Sequence, residues 1–151
     1  MALETVAVLG GGAWGTALAQ AAAMAGRKVT LVLRNKEQAE ALNATHINQA
    51  TLPGQTLLPS IRASVEPVSA DIFILAVPAQ ATRTLLSSLD PGLLAGKPVV
   101  LSAKGLEIGT LARQSEILAD MAPDAVGYVL SGPSFAGDVA AGRPTAVTLA
   151  G

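Results

Sequence analysis

Three glycines near the amino terminus, Gly10, Gly12 and Gly15, follow the spacing G-x-G-x-x-G. They come after the apolar stretch Val6–Leu9 and before an alanine-rich run of helical period that begins near Trp14. In a strand–turn–helix, the first glycine permits a tight turn, the second leaves room for a pyrophosphate, and the third lets helix and strand pack closely. Free N–H groups at the helix start would hold the anion. A simple glycine turn has the same spacing, but this context favours a dinucleotide site.

The elements that would position this turn alternate along the chain, β-branched runs with alanine-rich runs of helical period. Such alternation predicts a doubly wound α/β domain with a mostly parallel sheet of the Rossmann type. Gly26 and Gly142 fall where helix C-caps are expected, and prolines in the irregular stretch 44–59 argue against a strand there. The predicted strands are Val6–Leu9, Val29–Leu33, Ile72–Val77, Val99–Leu101, Val126–Leu130 and Ala146–Leu149, and the predicted helices are Trp14–Met24, Lys36–Asn43, Ala79–Leu89, Leu111–Met121 and Phe135–Ala141.

Several polar or rigid residues come directly after predicted strands. Ligands of open α/β sheets lie beyond the carboxyl ends of the strands. Arg34, Pro78, Lys104 and the loop 131–135 each follow a strand, so we expect them to converge at that edge. Arg27 precedes its strand and is expected at the opposite edge, on solvated surface.

Arg34 stands where NAD-specific domains usually carry an acid that binds the ribose hydroxyls. It lies nineteen residues beyond Gly15, and no acid follows it before Glu37. A guanidinium can stack on adenine and bind a 2′-phosphate with two hydrogen bonds. We therefore predict NADP or NAD as the cofactor, with NADP used and preferred. The alternative is a surface arginine that precedes a helix.

Composition and charge exclude several other classes of protein. The net charge is −1 and aromatic residues make up 3% of the 151 residues, which argues against nucleic acid as a partner. The sequence has no cysteine, consistent with a cytoplasmic location, and His46 is its one histidine, so we predict no metal site. Although half of the residues are hydrophobic, no run reaches the roughly 18 apolar residues of a membrane span.

Longer stretches are more specific than the glycines: "VLGGGAWGTALA", "ILAVPAQ", "SAKGLE" and "SGPSFAGDVAAGRPTAV". In order and over nearly the whole chain, they resemble the N-terminal cofactor domain of the bacterial-type NAD(P)-dependent glycerol-3-phosphate dehydrogenases. Gly137 and Asp138 follow "GPSFA", where the family often has a basic residue. The resemblance implies that the dinucleotide contacts Ala13, Trp14, Arg34, Lys104 and Ala136, and that sn-glycerol 3-phosphate or dihydroxyacetone phosphate contacts Lys104, Gly132 and Ser134.

The resemblance also implies reversible reduction of dihydroxyacetone phosphate to sn-glycerol 3-phosphate, a glycerophospholipid precursor. Residues 1–151 would form the dinucleotide-binding domain, without a catalytic acid of their own. The proton-transferring lysine would lie in a helical domain outside this sequence, which leaves open a homo-oligomer that assembles through that domain. The alternatives are a related 3-hydroxyacid or ketopantoate-type dehydrogenase domain and a stand-alone dinucleotide-sensing module. Taken singly, Lys104 could be a solvated loop residue, Trp14 could belong to the core, and Ser134 could cap the following helix.

Overall fold

A seven-stranded sheet with strand order β3-β2-β1-β4-β5-β6-β7 forms the centre of the computed structural model, which describes residues 3–151. The first six strands are parallel, and β7 is antiparallel to β6. The strands are β1 Thr5–Leu9, β2 Lys28–Val32, β3 Ile61–Ser64, β4 Ile72–Leu75, β5 Pro98–Leu101, β6 Val126–Ser131 and β7 Thr148–Ala150. The helices are α1 Ala13–Met24, α2 Lys36–Thr45, α3 Thr82–Ser88, α4 Gln114–Met121 and α5 Ala136–Ala140, with a 3₁₀ turn over Ala79–Ala81.

The order of the strands reverses at β1. The chain passes from β1 outward through β2 to β3, and then returns to place β4 on the other side of β1. In register, Val8 of β1 lies between Leu31 of β2 and Ile74 of β4. Such a reversal opens a crevice beyond the carboxyl ends of β1 and β4, which is where doubly wound sheets bind ligands.

Apolar side chains cover both faces of this sheet, because residues alternate between the faces along each strand. On one face, Leu31 and Ile61 pack in a buried cluster with Leu42 of α2 and alanines of α1. On the other face, Phe73 and Leu101 are buried in a second cluster with residues of α3 and α4, Ile117 among them. Burial on both faces explains why β1, β4 and β5 read as continuous apolar runs, whereas β6 and β7 at the edge of the sheet are more exposed.

The predicted doubly wound α/β class is confirmed, and most differences lie at element ends. Gly26 and Gly142 follow α1 and α5 with φ of +79° and +69°, as expected of helix-ending glycines. Helix α4 begins three residues later than predicted because Leu111 has a φ of +59°, and Arg113 and Glu116 form the capping interactions at the true start. The helix predicted from Ala79 begins as a 3₁₀ turn, and its α-helical part starts at Thr82.

Two strands differ more substantially from the prediction. Strand β3 was not predicted, because the sequence Ile61–Ser64 is short and carries the exposed Arg62. It nevertheless pairs with β2 at the edge of the sheet, where a polar strand is tolerated. The last strand, predicted over Ala146–Leu149, begins at Thr148 and ends at Ala150. It pairs with β6 in the antiparallel direction.

The stretch 44–59 is confirmed as a long loop without a strand, apart from an isolated bridge between Ile47 and Thr56 and the end of α2 at Thr45. Within residues 3–151, no helix is both long and apolar enough to span a membrane.

Candidate functional site

The glycine-rich turn joins β1 to α1 at the carboxyl edge of the sheet. Gly10 has a φ of +120°, and a Cβ there would lie 2.6 Å from the carbonyl oxygen of Ala76. A Cβ on Gly15 would overlap the carbonyl oxygen of Gly10, because α1 packs directly against the turn. The neighbouring Gly11 is also restricted, since its Cβ would overlap the side chain of Leu33. Backbone conformation and close packing therefore account for the glycines at positions 10, 11 and 15.

Gly12 is different from its neighbours. Its φ of −67° and ψ of 176° suit any residue, and no atom lies within 4 Å of where its Cβ would be. Gly12 is also the N-cap of α1, and no side chain caps this helix. The fold does not require glycine here, whereas a bound group that approaches the backbone would. The free N–H groups of the first turn favour an anion as that group.

Four segments meet next to Gly12 and line a cavity of about 580 Å³. They are the start of α1, the residues after β4 and β5, and the loop that leads from β6 into α5. The lining of the cavity is mainly apolar. Lys104 is the one ionisable side chain among the lining residues that the structure describes. The lining consists of Gly12, Ala13, Trp14, Ala76, Val77, Pro78, Ala79, Ser102, Ala103, Lys104, Ser134, Phe135 and Ala136.

Lys104 and Ser134 are the polar side chains that the sequence placed at this cavity. The Nζ of Lys104 lies 3.4 Å from the carbonyl oxygen of Gly132, which is an exposed and long hydrogen bond. The Oγ of Ser134 is buried and has no hydrogen-bond partner within residues 3–151. A buried hydroxyl without a partner is costly, so this group is suited to a ligand. The capping role considered for Ser134 is wrong, because Phe135 is the N-cap of α5 and no side chain caps that helix.

Most of the predicted site residues lie together at this cavity. Ala13, Trp14, Pro78 and Ala136 line it, and Trp14 is only partly buried, in contrast to a core residue. Gly10 and Gly15 allow the close backbone packing of the turn, but they do not line the cavity.

Arg34 lies at the same edge of the sheet but outside the cavity lining. It is exposed, two residues beyond the end of β2, and forms no ion pair within the described part of the chain. Asn35 caps α2 by accepting a hydrogen bond from the N–H of Gln38, so Arg34 has no capping role. Its guanidinium is therefore free to bind an anion beside the turn.

The residue pattern did not indicate some neutral residues of the lining or two hydrogen bonds to the glycine-rich turn. Val77, Ser102 and Ala103 could have been found from their position after strands β4 and β5, by the same rule that selected Lys104. The side chains of Asn48 and Thr51 both donate hydrogen bonds to the carbonyl oxygen of Gly11. No local pattern signals these contacts across 37 and 40 residues of sequence.

His46 and Tyr128 have side chains that can donate a proton, but neither lines the cavity. His46 ends α2, with a φ of +55°. Tyr128 lies in the middle of β6.

Comparisons with known proteins identify the family to which the chain is similar. The family model described as "NAD-dependent glycerol-3-phosphate dehydrogenase N-terminus" matches residues 5–151. The chain is 51% identical to a glycerol-3-phosphate dehydrogenase [NAD(P)+] of Parvibaculum lavamentivorans, over 99% of this chain and 46% of that protein. It is 52% identical to the enzyme of the same name from Rhodopseudomonas palustris, over 98% of this chain and 46% of that protein.

Solved structures extend the comparison to the fold. The crystal structure of glycerol-3-phosphate dehydrogenase from Coxiella burnetii superposes with a TM-score of 0.87 at 30% identity, over 97% of this chain and 46% of that one. A probable 2-dehydropantoate 2-reductase from Bacillus subtilis, at 20% identity and a TM-score of 0.62 over 83% of this chain and 40% of that one, shares the fold alone. The chain spans about half the length of the curated relatives it matches. With the family match extending over residues 5–151, this chain belongs to the N-terminal family of the NAD-dependent glycerol-3-phosphate dehydrogenases.

Proposed function

We propose that this chain binds NADP or NAD at the carboxyl edge of its sheet and serves the reversible reduction of dihydroxyacetone phosphate to sn-glycerol 3-phosphate. The observation that carries the proposal is the open space at Gly12, at the uncapped start of α1 and at one end of the cavity. Both relatives at about 50% identity bear the name glycerol-3-phosphate dehydrogenase [NAD(P)+].

The residues around the turn fit a dinucleotide. A pyrophosphate at Gly12 would accept hydrogen bonds from the first-turn N–H groups of α1, where no side chain competes. Beyond it, Trp14, Pro78 and Ala136 offer an apolar wall for a nicotinamide ring. When bound, the reduced nicotinamide supplies the hydride that the ketone carbon of the substrate accepts.

Arg34 is the residue we assign to the adenosine end of the cofactor. It is exposed, without an ion-pair partner among residues 3–151, and follows β2 at the edge that carries the turn. A guanidinium binds a phosphate through two parallel hydrogen bonds, whereas it offers ribose hydroxyls no carboxylate acceptor. This supports NADP as the preferred cofactor.

Lys104, Gly132 and Ser134 would hold the substrate. Lys104 is the cation of the cavity, and its flexible stem can direct Nζ to a phosphate or to the ketone oxygen. The Oγ of Ser134 would gain the hydrogen-bond partner that it lacks within residues 3–151. A positive charge beside the ketone oxygen stabilises the negative charge that develops there during hydride transfer.

The reaction also needs a group that protonates the new alkoxide. Lys104 is the one ionisable group in the described lining, and binding the substrate already occupies it. We therefore propose that residues 1–151 are the dinucleotide-binding domain of a longer enzyme, and that a helical domain supplies the proton-transferring lysine and closes the cavity.

The partners of this enzyme would be the small-molecule substrate and, through the helical domain, a second copy of the enzyme. We propose a cytoplasmic location, consistent with a sequence that has no cysteine.

The test separates binding from turnover. The 151-residue chain is expected to bind NADPH, measured by calorimetry, but to show no reduction of dihydroxyacetone phosphate. General acid catalysis alone contributes roughly 10²–10⁴-fold, and water exclusion by a second domain would also be missing. A folded chain that binds no dinucleotide would contradict the proposed function. Turnover by the chain alone, abolished in Lys104→Ala, would show that the acid lies within these residues.

A further inference from the structure

Asn48 is among the most deeply buried polar side chains of the protein, with 1% of its surface exposed. It belongs to the long loop after α2. The left-handed backbone of His46, with a φ of +55°, ends that helix just before it. The Oδ1 of Asn48 accepts a hydrogen bond from Nε2 of Gln38 at 2.8 Å. Its Nδ2 donates to Oγ1 of Thr16 at 2.9 Å and to the carbonyl oxygen of Gly11 at 3.0 Å. The loop is thereby fastened to the glycine-rich turn.

A second donor from the same loop reaches the same atom. The Oγ1 of Thr51 lies 3.0 Å from the carbonyl oxygen of Gly11, so Asn48 and Thr51 together occupy both acceptor sites of this oxygen. The two donors hold the carbonyl of the Gly11–Gly12 peptide towards the loop.

The orientation of this carbonyl determines the direction of the next N–H group. A trans peptide is planar, and its N–H points opposite to its C=O. Because the Gly11 carbonyl points to the loop, the Gly12 N–H points away from it. That N–H has no acceptor within residues 3–151. Hydrogen bonds to the carbonyl also polarise the peptide and strengthen its N–H as a donor.

The surrounding sequence explains why such fastening is useful. Gly10, Gly11 and Gly12 are consecutive, and glycine has the greatest backbone freedom of all residues. An unrestrained turn would lose that freedom on binding an anion, at a cost in affinity. The structure removes this freedom before the ligand arrives.

We propose that Asn48 and Thr51 are positioning residues that orient the Gly11–Gly12 peptide so that its N–H faces the pyrophosphate of the dinucleotide. The inference rests on the proposed function, because it assigns the ligand of this N–H. By this inference the long loop after α2 contributes to the affinity for the dinucleotide without contacting it.

Thr51→Val is the discriminating variant, because valine keeps the shape of threonine and removes only the donor. Thr51→Ser restores the hydroxyl. Thr56→Val is the matched control, since Thr56 lies in the same loop and its side chain donates no hydrogen bond within the described residues. Asn48→Ala is a weaker probe on its own, because it also removes partners from Thr16 and Gln38 and would cost stability.

The first measurement needs no ligand. In ¹H–¹⁵N spectra of the free 151-residue chain, Thr51→Val is expected to move the Gly12 amide resonance. Thr51→Ser should return the resonance towards its original position, and Thr56→Val should leave it in place. Asn48→Ala, measured well below its melting temperature, should move it as Thr51→Val does.

The second measurement compares two ligands by calorimetry. Thr51→Val is expected to weaken NADPH binding about threefold to tenfold, the effect of one hydrogen bond, and to leave adenosine 2′-monophosphate, which has no pyrophosphate, unchanged. Equal weakening of both ligands, no recovery in Thr51→Ser, or an unmoved Gly12 resonance would overturn the inference. A wild-type chain that binds no dinucleotide would instead contradict the proposed function, and the inference with it.

Discussion

The Nζ of Lys104 lies 3.4 Å from the carbonyl oxygen of Gly132, so the loops that follow β5 and β6 meet at the cavity that Lys104 and Ser134 line. At this length the hydrogen bond contributes little, and the exposed ammonium can turn to a ligand at small cost. Gly132 has a packing role of its own, because a Cβ there would lie 2.8 Å from the carbonyl oxygen of Ala146. One residue of the pair is therefore free to move, and the other is held by the fold.

Lys104→Gln should weaken the affinity for sn-glycerol 3-phosphate and for NADPH by roughly tenfold to a hundredfold, because hydrogen bonds to a charged group contribute about 1.5–3 kcal/mol. Lys28→Gln is the matched control, since Lys28 is exposed at the opposite edge of the sheet. Calorimetry on both variants tests the assignment. Equal affinities of the two variants for sn-glycerol 3-phosphate and NADPH would show that Lys104 does not bind either ligand.

Gly12→Ala should mainly weaken cofactor binding, whereas Gly15→Ala should mainly lower the stability of the fold. The Cβ at position 12 enters open space, so Gly12→Ala should change the free energy of unfolding by at most about 1 kcal/mol while weakening NADPH binding at least tenfold. The Cβ at position 15 overlaps the carbonyl oxygen of Gly10, so Gly15→Ala should cost about 3 kcal/mol of stability or more. Urea unfolding and calorimetry measure the two quantities. Unchanged NADPH affinity in a folded Gly12→Ala chain would rule out a ligand at this turn.

Arg34→Gln should lower the affinity for NADPH by roughly tenfold to a hundredfold and leave the affinity for NADH nearly unchanged, because only NADPH carries the 2′-phosphate. Arg27→Gln provides the comparison, since Arg27 is exposed just before β2, at the other end of that strand. The measured quantity is the ratio of the two dissociation constants. A ratio that stays constant in Arg34→Gln would refute its assignment to the 2′-phosphate.

Asp71 should make the stability of the fold depend on pH in acid. Its Oδ2 accepts hydrogen bonds from the N–H groups of Glu4 and Thr5 and from the Thr5 hydroxyl, and these bonds lower the pKa of the Asp71 carboxyl. A carboxyl with a lowered pKa contributes its stabilisation above its ordinary value, about 3.9, and loses it as the pH falls through the lower value of the folded state.

Asp71→Asn should therefore unfold with a shallower dependence on pH than the wild type below about pH 4, as measured by urea unfolding at each pH. Other carboxyl groups with lowered pKa values, those of Glu107 and Glu116, titrate equally in both chains and cancel in the difference. Parallel stability curves would mean that the Asp71 hydrogen bonds contribute nothing to the pH dependence.

Local sequence determined the class of the fold and the place of the candidate site. Short-range hydrophobic periodicity predicts the apolar strands and the alanine-rich helices. This prediction holds in the folded protein because each element buries its own apolar side chains. Alternating strands and helices form right-handed crossovers, so the carboxyl ends of the parallel strands lie at one edge of the sheet. Pro78, Lys104 and Ser134 each follow a strand, and they line one cavity at that edge.

Only the tertiary structure decided the features that depend on partners distant in sequence. The short polar strand Ile61–Ser64 exists because β2 presents an edge to pair with, and β7 runs antiparallel because α5 packs against α1 and returns the chain from the same end of the sheet. The open space at Gly12, as against the crowding at Gly15, also required the assembled backbone. The hydrogen bond from Asn48 to Gly11 spans 37 residues, and its energy depends on burial and alignment, which exist only once the chain has folded.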